Sequence, residues 1–349
     1  MTLDYTVRGQ VKITMIDYVD EILTAFDKAD PKGGGTKTSA APENLFRVDE
    51  DCEKLQPDKV VEFHNLVAKT LYATKRARPD TCTAIAFLTT RVRAPDKDDW
   101  AKLVHLMKYL RGTRTLPLIL SANGSGILKW WVHASFAVHP NMRGHSGGGL
   151  SLGRGFPIVS STKQKLNTRS STETEIVGAG DFMPAICWTR YFMEAQGYQV
   201  QDNVLFQDNK SAILLEKNGK ASSSKRTKHI NIRYFFITDR VKQGDVSLVW
   251  CPTGDMIGDF MTKPLQGALF RKFRDQIMGV IPAWDPGQGK AKPGNGKLDT
   301  HKVKPRKGKT VFGAPGKGWH HRSVLGVVSE RTKDVSKRTK DGLSKMGSG

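Results

Sequence analysis

At 349 residues the chain has room for about two domains, each with its own core. A formal net charge of +21 without aromatic depletion excludes a wholly disordered chain and points to a folded protein that meets a polyanion, nucleic acid first. Cys52, Cys82, Cys187 and Cys251 form no C-x-x-C pair, which argues against a zinc ribbon or disulfide scaffold and for a reducing compartment, while the lack of a signal-peptide profile or of any apolar run near the roughly 18 residues that span a bilayer makes a soluble intracellular chain with no membrane partner the expectation.

From Val11 to Phe26, "VKITMIDYVDEILTAF" sets Met15, Ile16, Val19, Ile22, Leu23 and Phe26 at helical spacing, which predicts an amphipathic helix ending near "DPKGGG". Residues 31–57 are polar and carry Pro and Gly, the composition of a loop. Three helical patterns follow, "DKVVEFHNLVAKTLYATKRA", "DTCTAIAFLTTRVR" and "KDDWAKLVHLMKYLRGT", so the first hundred residues read as mainly α-helical. After Gly124 the period changes. "GILKWWVHASFAV", "GHSGGGLSLGRG" and "FPIVSST" predict three consecutive antiparallel strands joined by short turns. "STETEIVGAGDFMPAICWTRYFMEAQG" is helical again, with Pro184 expected to break or kink it into two helices. Then come "NVLFQD" as a strand, "NKSAILLEKN" and "KHINIRYFFITDRVKQG" as helices, "DVSLVWCP" as the last strand and "DMIGDFMTK" as the last helix. Strands followed by alternating helix and strand imply an α/β fold with a mixed sheet flanked by helices.

Beyond about Gly279 the composition turns to Gly, Pro and Lys. From Ile281 onward about 16 basic residues face about 5 acids, half of the net charge, and the expectation is a disordered basic tail. Near its end "SERTKDV" and "SKRTKDG" repeat at seven residues without the apolar positions of a coiled coil.

Three acids stand where an open α/β sheet presents its ligand edge. Asp208 closes the strand "NVLFQ", Asp259 follows Asp255 by four residues on one helix face, and Glu175 lies in the first turns of its helix. Convergent carboxylates of this kind can hold Mg²⁺. Each also has a structural reading: Thr172 with Glu175 and Ser170 with Glu173 both fit a capping box, and Asp208 and Asp255 both fit helix caps.

The order of these residues resembles the ribonuclease H domain of copia-type LTR-retrotransposon polyproteins over about Ile127 to Val280, and the preceding helices resemble the part of their reverse transcriptase that follows the palm. The landmarks are "RPDTCTAIAFLTTRV", "DDWAKLVHLMKYLRGT", "VHASFAVHPNMRGHSGG", "STKQKLNTRSSTETE", "FQDNKSAILL", "SKRTKHINIRYFF" and "VSLVWCPTGDMIGDFMTKPL". The resemblance implies a ribonuclease H-like fold, a mixed five-stranded sheet with helices on both faces, in a chain divided into a helical thumb or connection remnant over 1–124, the ribonuclease H-like domain over 125–280 and the tail over 281–349. It further implies cleavage of the RNA strand of RNA–DNA hybrids with two Mg²⁺. Its metal-holding, catalytic acids fall at position 133, Glu175, Asp208 and Asp259, with Glu175 taken over Glu173 as the second acid of "TETE".

At position 133 the family's Asp is replaced by His133. A neutral imidazole offers one nitrogen to one ion, suits Zn or Mn²⁺ better than Mg²⁺ and removes about one unit of charge, so the expectation is a nuclease impaired with Mg²⁺. A shift towards Mn²⁺, simple packing of His133 in the core, and a catalytically inactive nucleic-acid-binding remnant are the competing readings. "DYVDEI" mimics a polymerase box, but Asp20 and Glu21 lie in a helical pattern, and the resemblance places the polymerase acids upstream, with Met1 as an internal start. His139 and His145 are expected in turn and surface roles.

Lys225, Arg226, Lys228, His229 and Arg233, with Lys163, Lys165 and Arg169, are candidate phosphate contacts for a hybrid whose binding would weaken with salt. The resemblance also implies partnership with a palm or other polyprotein segments in trans, and residence in cytoplasmic virus-like particles or the nucleus.

Overall fold

The computed structural model describes residues 1–31, 35, 37–219 and 231–284, leaving aside the side chains of 231–234. The helix expected from Val11 starts later. "VKIT" is β-branched at three of four positions, which favours a pleated strand. Strand β2 (Gln10–Thr14) accordingly pairs antiparallel with β1 (Thr2–Asp4), and helix α1 runs from Ile16 to Ala29. Its Val19, Ile22, Leu23 and Phe26 are buried at the spacing read from the sequence.

Helix α2 (Pro57–Arg76) opens with proline in its first turn, where no N–H is needed. Helix α3 (Cys82–Thr89) and helix α4 (Lys97–Gly112) follow, the latter closed by a reciprocal box between Asp96 and Asp99. The segment before α2 holds neither helix nor strand among its described residues, yet it buries Ala40, Ala41 and Leu45.

Nine strands make two sheets among the described residues. In the smaller, β1 and β2 are joined by β3 (Leu118–Ala122) and β6 (Gly153–Arg154), neither foreseen as a separate strand. The larger contains β4 (Ile127–Ser135), β5 (His145–Ser151), β7 (Ile158–Lys163), β8 (Asp202–Gln207) and β9 (Ser247–Trp250) in the order β7-β5-β4-β8-β9. β7, β5 and β4 are antiparallel, whereas β4, β8 and β9 are parallel, so the chain is α/β with a mixed five-stranded sheet.

The period of two sorts β4. Leu128, Trp130 and Val132 pack with Ile176, Ala179, Met183 and Ile186 of α5 (Ser171–Ala195), and with Ala212 of α6 (Lys210–Asn218) and Ile237 of α7 (Asn231–Lys242). Trp131 points the other way, to Phe206, Phe156 and the core that also holds Phe63, Phe87 and Phe260. Both tryptophans are fully buried, each contributing on the order of 5 kcal/mol of transfer free energy.

Pro184 does not divide α5. It faces solvent, so the carbonyl it leaves unpaired at Gly180 is open to water, and the buried stripe on the opposite face carries the helix through. "DMIGDFMTK" forms two short 3-10 turns, Thr253–Asp255 and Ile257–Met261, instead of an α-helix. The last described helix is α8 (Gly267–Ile277), which buries Phe270, Phe273 and Ile277. The chain is still packed at Ala283, whose N–H reaches the Gly153 carbonyl, and at Trp284, whose ring meets Phe206. The remainder of the basic tail and its seven-residue repeat lie outside the described residues. No described helix is long and apolar enough to cross a membrane.

Candidate metal centre

Parallel strands β4 and β8 end side by side, and their carboxyl ends bring the predicted residues together. His133 lies two residues before the end of β4, and Asp208 directly follows β8. Glu175 comes from the first turns of α5, and Asp259 from the turn Ile257–Met261. That turn rides directly on β4: a Cβ on Gly258 would lie 2.9 Å from the Cβ of His133, and one on Gly147 of β5 would lie 2.5 Å from the Cβ of Met261. Glycine at both positions lets the Asp259 segment reach the strand.

His133, Asp208 and Asp259 each offer a ligand atom within 4.8 Å of the others. The ring of His133 bridges the group, with Nε2 3.4 Å from Glu175 Oε1 and Nδ1 3.4 Å from Asp259 Oδ1. Its closest partner is the Thr262 hydroxyl, 2.5 Å from Nδ1. Glu175 Oε2 accepts the N–H of Ala134 at 3.0 Å, which fastens α5 to β4 beside the imidazole. The Lys263 ammonium lies 2.9 Å from Asp259 Oδ1, at the more exposed side of the cluster.

Acceptors outnumber donors here. Burial raises Glu175 well above the usual carboxyl range, and the charges of Asp208 and Glu216 add to the rise. Burial likewise raises Asp208, and pushes Asp259 up to about 6 against the opposing pull of Lys263. Burial, assisted by Lys263, drives His133 down to about 3, so its ring is neutral at pH 7. Such a set, rich in hard oxygen and short of positive charge, suits a divalent cation.

The alternative helix-cap roles fall to neighbours. Ser170 accepts the Glu173 N–H, and Glu173 accepts that of Arg169, which leaves Glu175 free for the cluster. Asn209, not Asp208, caps α6 through Ala212. Asp255 pairs with Lys272 at 2.7 Å instead of capping the following turn.

Reasoning from sequence missed Thr262 and Lys263, three and four residues beyond Asp259. An acid followed by a lysine at four residues was the available signal. It also missed Glu216, fully buried with neither carboxyl oxygen hydrogen-bonded among the described residues and pushed by burial to about 8.

His139 and His145 are not on the surface. His139 sits in the turn between β4 and β5, its Nε2 3.0 Å from His145 Nδ1, and His145 Nε2 lies 2.8 Å from the Ser161 hydroxyl. The ring of Phe46 covers both, and burial lowers them to about 4 and about 3.

The register Ser135↔His145↔Lys163 places Lys163 at the same sheet end as the cluster, half-buried, with Lys165 and Arg169 exposed in the segment that leads to α5. Lys225, Arg226, Lys228 and His229, and the side chain of Arg233, lie outside the described residues.

No family model matches the chain. It is 29% identical over 204 residues to the retrovirus-related Pol polyprotein from transposon TNT 1-94 of Nicotiana tabacum, over 58% of this chain and 15% of that protein. It is 30% identical over 222 residues to the Pol polyprotein from transposon RE2 of Arabidopsis thaliana, over 63% of this chain and 15% of that one. A truncated transposon Ty1-A Gag-Pol polyprotein of Saccharomyces cerevisiae matches at 23% over 250 residues, 69% of this chain and 21% of the relative. The chain thus spans about 15% of the length of the first two of these relatives.

Proposed function

This chain belongs with the Pol polyproteins of copia-type retrotransposons, and from that premise we propose that it carries a ribonuclease H-like domain directed at the RNA strand of RNA–DNA hybrids, impaired by His133. The observation that carries the proposal is the convergence of Glu175, Asp208, Asp259 and His133 at the carboxyl ends of two parallel strands.

Glu175, Asp208 and Asp259 are the residues to hold two Mg²⁺, with His133 as a poor fourth ligand. When bound, the ions would supply Lewis acidity at the phosphoryl group and lower the pKa of water. The chain's own groups set the stage. The Ala134 N–H orients Glu175, the Thr262 hydroxyl orients the His133 ring, and Lys263 offsets part of the carboxylate charge. A first-strand aspartate would present two oxygens and a full negative charge, whereas this neutral ring presents one nitrogen to a cation and is already engaged by Thr262.

Within this reading residues 1–124 are a thumb or connection remnant, 125–280 the ribonuclease H-like domain and 281–349 a basic tail. Lys163, Lys165 and Arg169, with the basic run 225–233, contact hybrid phosphates, and the chain works beside other polyprotein segments, in virus-like particles of the cytoplasm or in the nucleus. The engagement of His133 by Thr262 also favours a second reading, a hybrid-binding module without turnover.

Hybrid cleavage by the chain and by His133→Asp, in Mg²⁺ and in Mn²⁺, tests the proposal. Even outer-shell partners of a metal are worth about 10- to 100-fold, so His133→Asp should be faster in Mg²⁺ by at least about a hundredfold. Equal Mg²⁺ rates would overturn the impairment. Failure of both proteins to cleave would overturn the nuclease reading and leave the binding module, for which hybrid affinity must fall steeply with salt.

A further inference from the structure

Beside the acid cluster stands an indole that the fold leaves in the open. Trp250 closes β9 with 46% of its surface exposed, although it follows strand residues that pack inward. Its place is nevertheless set. The Nε1–H donates to the main-chain oxygen of Asp208 at 3.2 Å, and the β8–β9 register pairs Trp250 with Gln207. Lys210, exposed in the first turn of α6, holds its ammonium 4.8 Å from the centre of the indole. An aromatic ring of this size gains most from burial, so one held in place at the surface beside a reactive cluster is arranged for a ligand. A cation within reach of the ring adds the charge that a phosphate requires.

We propose that Trp250 and Lys210 form a nucleotide platform on the Asp208 side of the cluster. The indole packs against the sugar and base edge of the strand presented to the acids, and the Lys210 ammonium meets a phosphate of that strand. The ligand class is a polynucleotide, as the +21 net charge favours. This inference rests on the hybrid-directed reading above and adds to it a contact formed by residues outside the acid cluster.

Fluorescence anisotropy of a labelled RNA–DNA hybrid with the full chain, in EDTA so that nothing is cleaved, separates the two ideas. Trp250→Ala is expected to weaken binding by about 5-fold or more, and Trp250→Phe, which keeps an aromatic face, to restore most of the loss. Lys210→Gln is expected to lower the slope of log affinity against log salt by about one, the signature of one lost phosphate contact. Trp188→Ala, which removes an indole 58% exposed on α5, serves as the control and should bind as the parent does. If the parent chain binds the hybrid and Trp250→Ala and Lys210→Gln match it in affinity and salt slope, the platform is refuted while the hybrid-directed reading stands. If the parent binds no hybrid at low salt, that reading fails and the platform falls with it. Should Trp250→Ala fail to fold, Lys210→Gln still decides, since an unchanged salt slope refutes the phosphate contact and with it the platform.

Discussion

Two buried polar clusters in this molecule are built on opposite principles. In the helical region Arg78 and Asp80, both almost wholly buried, form a fork: Nε donates to Asp80 Oδ1 at 2.9 Å and an Nη to Oδ2 at 2.7 Å. The Tyr109 hydroxyl adds a third donor to Asp80 at 2.7 Å, and Thr113 accepts from the guanidinium. The two charges answer each other directly, although one Nη of Arg78 stays without a hydrogen bond among the described residues. At the carboxyl end of the sheet, Glu175, Asp208 and Asp259 crowd around a neutral imidazole with Lys263 as the one ammonium paired to them among the described residues. Burial there raises all three carboxyls, so the fold spends stability to keep them close. A closed cluster holds structure together; an open one awaits positive charge.

The largest expected effect lies in the closed cluster. Asp80→Asn leaves the Arg78 guanidinium buried without a counter-charge, and should cost about 3–5 kcal/mol of unfolding free energy in urea titrations. A loss below about 1 kcal/mol would show that the fork is no more structural than the acids of the sheet edge.

Asp259→Asn should act in the opposite direction. Below the ordinary range near 3.8 the carboxyl is protonated in both states, and above about 6 it is ionised in both. In between, the folded chain keeps a proton that the unfolded chain has released, so the parent loses stability as pH rises through this window. The asparagine variant carries no such loss. In EDTA its advantage should grow from pH 4 to 6, to about 3 kcal/mol, and stay level above. His139 and His145 titrate with the opposite sign, but they do so in both proteins and drop out of the difference. A difference independent of pH would mean that burial does not hold the Asp259 carboxyl above its ordinary range.

How far each cluster could be read from the sequence follows from the same distinction. The period of 3.6 in α2 and α4 reports burial of one face, and the near-continuous apolar runs of β4 and α5 report burial on more than one, which is why those elements were legible. Strands β1, β3 and β6 were not, because a sheet of short pieces far apart in sequence is created by pairing and carries little pattern of its own. Helix α8 was hidden by its polar surroundings, although Phe270, Phe273 and Ile277 keep helical spacing. Glu175, Asp208, Asp259 and the anomaly at His133 were visible because their order follows the strands. Lys263 and Thr262 escaped notice because their role depends on how closely the turn after β9 rides on β4, and that closeness is set by Gly147 and Gly258. Glu216 and the pair His139 and His145 escaped for a simpler reason. Which polar residues a core will swallow is decided by packing from several elements at once, and no local window contains it.

Lys263 offers the smallest and sharpest contrast between the clusters. Its ammonium stands 2.9 Å from Asp259 Oδ1 and more than a third of its side chain is exposed, so solvent screens the pair. Without divalent ions Lys263→Met should cost less than about 1 kcal/mol, far below the loss at Asp80. With Mg²⁺ the sign turns. Ammonium and metal ion answer the same excess of carboxylate charge, and removing one strengthens the hold on the other, so the rise in Tm on adding Mg²⁺ should be greater for Lys263→Met than for the parent. Equal shifts in the two proteins would mean that the lysine and the cation do not share a site. Arg78→Met offers the matching measurement in the closed cluster: stability falls, and Mg²⁺ recovers none of it, because among the described residues Asp80 belongs to no group of side chains that could hold an ion.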